Sequence, residues 1–129
     1  MTQKEMKART KRFAVRIIKL VDSLPNTRCA NVIGKQLLRS GTSVGANYRS
    51  ACRAKSTADF LSKLSIVEEE ADESVYWMEL LVEANIVREV LLTDLIDEAN
   101  QLVAIIVSAI KTTKLKRNPK SQIRNPKST

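Results

Sequence analysis

The stretch from Ser56 to Asn85, STADFLSKLSIVEEEADESVYWMELLVEAN, decides the fold. Phe60, Leu64, Val67, Ala71, Met78 and Val82 recur at helical spacing, which places them along one stripe, and no glycine or proline interrupts the run. At a rise of 1.5 Å per residue, thirty residues make a rod of about 45 Å. Ser56 followed by Asp59 reads as an N-cap, close to a capping box with Asp where Glu or Gln is usual. A rod this long with an apolar stripe needs other helices to cover it.

Those helices lie on both sides. Upstream, Met6, Phe13, Ile17, Leu20 and Leu24 form one stripe over about 3–24, which Pro25-Asn26 ends. Ile33, Leu37, Val44, Tyr48 and Ala51 form a second over about 29–53. Its middle is filled by Ser40, Gly41, Ser43, Gly45 and Ala46, small residues that admit a neighbouring helix closely and permit a kink. The long helix spans about 57–85. Downstream, Thr93-Asp94 reads as the cap of a fourth helix over about 93–115, with Leu95, Ala99, Leu102, Ile106 and Ile110 inward. Short connections make neighbouring helices antiparallel, so residues 1–115 are expected to form an all-α, up-down-up-down four-helix bundle. Residues 116–129 differ in kind. Arg117-Asn118-Pro119-Lys120-Ser121 recurs as Arg124-Asn125-Pro126-Lys127-Ser128, with only Ile123 as an aliphatic residue, and such a tail is expected to be disordered.

Composition narrows the function. The 129 residues include no histidine, which removes Ser-His-Asp and Cys-His catalysis and imidazole metal ligands. Cys29 and Cys52 are isolated and read as reduced, partly buried thiols. Five acids between Glu68 and Glu73 point around most of a helix and do not converge. Gly41-Thr42-Ser43-Val44-Gly45 lacks the Gly-Lys-Ser/Thr ending of a phosphate loop and lies in a helical pattern. No catalytic residue, metal site or cofactor is therefore expected. The basic N-terminus precedes no signal-like apolar run, and Leu102 to Ile110 is too short to cross a bilayer, so a cytoplasmic protein is expected.

Charge is the remaining clue, at a net +8. Residues 1–55 carry 13 basic and two acidic residues, residues 56–110 carry two and 12, and residues 111–129 carry seven basic and none acidic. Lys4, Lys7 and Lys11 follow one line of the first helix, flanked by Arg9, Arg12, Arg16 and Lys19. With Lys114, Lys116, Arg117, Lys120, Arg124 and Lys127 they make a candidate surface for nucleic-acid phosphates, RNA or DNA, without base readout. Ile66, Trp77, Leu80 and Ile105 are apolar residues in excess of one bundle's core and are candidates for a subunit interface.

The segment Gln36-Leu37-Leu38-Arg39-Ser40-Gly41-Thr42-Ser43-Val44-Gly45-Ala46-Asn47-Tyr48-Arg49, followed by Ala58-Asp59-Phe60, Val67 to Glu73 and Tyr76-Trp77, resembles the four-helix-bundle proteins of 23S ribosomal RNA intervening sequences. The resemblance runs from about Phe13 to Lys114. The commonest version of the motif carries a proline and an acidic-glycine ending that this chain lacks. The resemblance implies a left-handed bundle, a ring-shaped homo-oligomer, a pentamer, and no known enzymatic activity. Related accessory variability proteins of retroelements are basic rings that engage nucleic acid and a reverse transcriptase. In the motif, Arg39 is expected to pair with Glu70 across the bundle, Ser43 belongs to the same pattern, and Asn47 is expected to hydrogen-bond a neighbouring helix. The other reading is a protein-interaction scaffold whose acidic helices and apolar face serve a protein partner.

Overall fold

The computed structural model describes residues 1–117, which form α1 (Gln3–Asp22), α2 (Arg28–Cys52), α3 (Thr57–Glu83) and α4 (Glu89–Arg117) and no strand. The expected tail segment, with Lys120, Arg124, Lys127 and all but the first residue of the duplication, lies outside the described residues. Each helix packs along its neighbour in chain order, whereas α1 and α4 touch over a much shorter seam. The result is an all-α four-helix bundle.

Local chemistry sets the helix starts. The Thr2 hydroxyl accepts from the Glu5 amide and the Glu5 carboxylate accepts from the Thr2 amide, both at 3.1 Å, a full capping box. Thr27 caps α2 and Ser56 caps α3. Asp59 is too short to complete a box with Ser56 and instead receives the Lys63 ammonium at 3.0 Å. The α3–α4 turn passes through Asn85 at φ 60°, a left-handed conformation that Asn tolerates better than most residues.

That turn moves the fourth helix. α4 starts at Glu89, four residues before the expected cap, and Thr93 lies inside it with its hydroxyl donated to the Glu89 carbonyl. It also continues through Lys116 and Arg117, residues expected in the tail.

Phe13, Ile17, Leu37, Leu64, Met78, Leu81, Leu92, Leu102 and Ile106 are the largest fully buried side chains of the core. On α3 the buried stripe is Leu61, Leu64, Val67, Ala71, Met78 and Leu81, so Phe60 and Val82, expected inside, are only half-buried. A 3.6-residue period leaves adjacent positions competing for the inner line, and at both ends the neighbour wins. Cys29, on the first turn of α2, is exposed rather than partly buried, and Cys52 is half-buried.

The small residues of α2 produce no break in the helix. They serve close approach to α1: a Cβ at Gly41 would lie 2.8 Å from two carbons of Ile17, and one at Gly45 would lie 3.3 Å from the Thr10 hydroxyl. Thr10 and Ser40 are buried here, and each returns its hydroxyl to a carbonyl of its own helix. Ser74 of α3 donates to the Ser40 hydroxyl at 2.9 Å, which joins α2 to α3 through the core.

Candidate nucleic-acid interface

The basic residues of α1 project outward because Met6, Thr10, Phe13 and Ile17 take the inner positions. Lys4, Lys7, Lys11, Arg12, Arg16 and Lys19 are all exposed. Arg9, which flanks the same stripe, is occupied elsewhere. Its guanidinium donates to both carboxylate oxygens of Glu98, at 2.7 and 2.8 Å, and to the Gln101 side-chain oxygen at 2.7 Å.

Beside these residues α2 contributes two arginines. Lys7, Lys11 and Arg49 rim a hollow between α1 and α2 whose floor is Ala14, Gly45 and Ala46. Ala46 and Arg49 also line an adjoining hollow with Arg53 and Lys63. On the other side, Lys11 is shared with a third hollow bounded by Arg12 and Arg16 around Ala8 and Val15. The three form a band from Arg16 across α1 to Arg53, and no acidic side chain lines it. The small floor residues leave the backbone uncovered between long cationic side chains, an arrangement with the charge and the space that a phosphate group requires.

Sequence reasoning misses Arg49 and Arg53, because the periodic signal of α2 is its buried stripe. Arg49 sits one position after buried Tyr48, and a helical projection of α2 beside α1 carries that signal. Lys19 does not line the band. Lys114, Lys116 and Arg117 are exposed on the last turn of α4. They share an end of the molecule with the start of α1, where Gln3 and Thr113 line one hollow. Cutting every helix at its midpoint, that end holds 13 basic and five acidic residues among the described ones, and the opposite end holds six and nine.

The motif residues lie on the α2–α3 seam. Arg39 donates to Glu70 at 2.9 Å and also to Glu73. Ser43 donates to the Arg39 carbonyl at 2.6 Å, and Asn47 donates to the Ser43 carbonyl at 2.8 Å. Asn47 therefore bonds its own helix and not a neighbouring one, because a carbonyl one turn back lies within reach of so short a side chain. The Trp77 indole N–H donates to Glu73 at 2.9 Å, and Tyr76 meets the Trp77 ring edge-on at 5.0 Å.

These bonds hold the Glu73 carboxyl below the usual carboxylate range, first through the indole N–H and then through Arg39. Trp77 is the single tryptophan and reports on them. Its emission is expected to change in a step at a pH below the ordinary Glu value of about 4.3. Glu73→Gln should remove that step, and an unchanged fluorescence titration in this variant would contradict the assignment.

Of the candidate interface residues, Ile66 is exposed, whereas Trp77, Leu80 and Ile105 are half-buried. Trp77 and Ile105 pack against the core of their own chain. Among the described residues no group of three or more Cys, Asp or Glu side chains is placed to hold a metal ion. No helix among them is long and apolar enough to cross a membrane.

No curated protein matches the chain. A solved structure from Bacteroides thetaiotaomicron VPI-5482, described as a protein with unknown function from the S23 ribosomal protein family, is 39% identical. It superimposes with a TM-score of 0.80 over 86% of this chain and 99% of that one. The family model described as 23S rRNA-intervening sequence protein matches residues 2–108, nearly all of the bundle. By that match, and by the identity and fold shared with the S23 structure, this chain belongs to the 23S rRNA-intervening sequence protein family.

Proposed function

We propose that the protein is a non-enzymatic, cytoplasmic, homo-oligomeric bundle that binds RNA or DNA through its phosphates, along the band from Arg16 through Lys11, Lys7 and Arg49 to Arg53. One observation carries this reading: three adjoining hollows on α1 and α2, one of them bounded also by Lys63 of α3, are rimmed by basic side chains and, among the described residues, lined by no acid. The ion pairs among the described residues engage Arg9, Arg39 and Lys63 and leave Lys7, Lys11, Arg12, Arg16, Arg49 and Arg53 available to a ligand. Aromatic residues are absent from the band, so contact is with phosphates and is independent of sequence. The absence of histidine from the whole chain supports a binding role over an enzymatic one. Exposed Ile66 and Tyr76 on the outer face of α3 support self-association through that helix, in a ring of five by the resemblance.

The test is a salt series with a labelled duplex, read by fluorescence anisotropy. Affinity should fall steeply as salt rises. Lys7→Gln/Lys11→Gln/Arg49→Gln removes three phosphate contacts, which should reduce the slope of log affinity against log salt by about 2.7. Removal of Lys114, Lys116 and Arg117 should add to this if the end of α4 takes part. Absence of binding at low salt, or a triple variant with the wild-type slope, rejects the proposal. The competing reading, a protein-interaction scaffold, is favoured by an acidic groove on the opposite side of the molecule.

A further inference from the structure

That groove lies between the second half of α3 and the first half of α4 and encloses about 520 Å³. Glu79, Glu83, Glu89 and Asp97 stand around it, with Val82 and Ile96 between them. Val82 and Ile96 are half-buried and pack on the core, so the groove has an apolar floor and an acidic rim. None of the four acids is ion-paired among the described residues. Val90, one turn before Thr93 on the same side of α4, is 69% exposed and extends the apolar surface at one end. The groove thus has like charges without counter-charges and apolar surface without cover.

The chain itself contains a segment of matching chemistry. Between Lys120 and Lys127 there is one aliphatic residue, Ile123, with Lys120 and Arg124 close on either side and no acid. The groove follows α4 from Glu89 to Asn100, about 16 Å at the helical rise. Residues 120–124 cover about 13 Å when extended. An isoleucine flanked by cations therefore meets a floor of Val82 and Ile96 flanked by carboxylates, in register with the length available.

The segment cannot come from the same molecule. From Ile96 to Arg117 the rigid helix carries the chain about 32 Å away. The six further residues to Ile123 span at most about 22 Å. We propose that the groove between α3 and α4 receives the Lys120–Lys127 segment of a second copy of this chain. Donor and acceptor are then different surfaces of one protein, so the contact is heterologous and links copies head to tail. This inference does not rest on nucleic-acid binding, which uses the opposite face of the bundle.

The test is a labelled synthetic peptide of residues 116–129 titrated with the full-length protein at low salt and read by anisotropy. Saturable binding is expected. It should weaken at least tenfold with Glu83→Gln/Asp97→Asn in the protein, at unchanged helicity by circular dichroism, and at least tenfold with Ile123→Asp in the peptide. The peptide variant leaves the folded protein untouched, so it decides the matter even if the groove variant loses structure. Equal binding by a scrambled peptide, or binding that survives both substitutions, reduces the effect to general charge attraction and overturns the proposal. So does an absence of saturable binding. Because the band on α1 and α2 is intact in every variant, the duplex titration should be unaffected by the groove substitutions, which separates failure of one proposal from failure of the other.

Discussion

Gly41→Val is expected to destabilise the bundle by about 3 kcal/mol or more, because the new side chain has nowhere to go. A Cβ added at this position would lie 2.8 Å from Cγ1 and Cγ2 of Ile17. Ile17 is fully buried and cannot turn aside into solvent. Gly41→Ala is the informative intermediate. In mid-helix it gains about 1 kcal/mol of propensity, against an overpacking cost of about 1–3 kcal/mol, so a small net loss is expected. Ile17→Ala alone should cost about 2–5 kcal/mol through the cavity it leaves. In combination with Gly41→Ala the two changes should be less harmful than their sum by about 1–2 kcal/mol, since the added methyl fills part of the space vacated. Urea unfolding of the four proteins measures the cycle. Additive effects, or a valine variant as stable as the parent, would show that the α1–α2 spacing does not depend on this glycine.

The second large effect concerns the seam that α1 shares with α4. Arg9 and Glu98 form a two-point pair there, with side chains only 19% and 18% exposed, and their bonds with Gln101 are the only side-chain hydrogen bonds between the two helices among the described residues. Arg9 holds the Glu98 carboxyl below its ordinary range, with Arg16 and Arg12 adding to the effect. A carboxyl depressed in the folded state stabilises it above the unfolded value of about 4.3. That contribution is lost as pH falls through the lower, folded value. Glu98→Gln should therefore cost about 1–3 kcal/mol at pH 7, because a charged bond is lost and Arg9 is left half-buried without its counter-charge. The gap between variant and parent should close as the pH is lowered past both values. Unfolding curves at neutral and acidic pH provide the comparison, and a gap that stays constant with pH would rule out the pair as its origin.

What the sequence made legible depended on how far each signal is local. The third helix could be read almost to the residue, since an uninterrupted period and a serine cap are properties of adjacent residues. The start of the fourth could not, because Thr93-Asp94 has cap chemistry while the true start depends on Asn85 turning left-handed. The basic surface was half legible. Lys7 and Lys11 announce themselves by spacing, but Arg49 and Arg53 join them only through the α1–α2 packing that Gly45 permits, and Arg9 leaves the surface only because α4 brings Glu98 to it. Asn47 departs from the expectation for a similar reason: a half-buried amide must have a partner, but which carbonyl supplies it is a matter of distance.

The unequal division of charge between the two ends of the bundle bears on how an encounter begins. Along α3 alone, Lys63 and Glu83 are about 30 Å apart, so the molecule carries a permanent moment along its long axis. A polyanion's field exerts a torque on such a body before any atoms meet. On the binding proposed above, the protein turns as it diffuses toward the polyanion, and the end bearing Lys4, Lys7, Arg53 and Arg117 leads. Fewer collisions are then wasted on the wrong orientation, and at ionic strengths where the Debye length exceeds about 10 Å this alignment raises the rate of productive approach without any change in the contacts finally made.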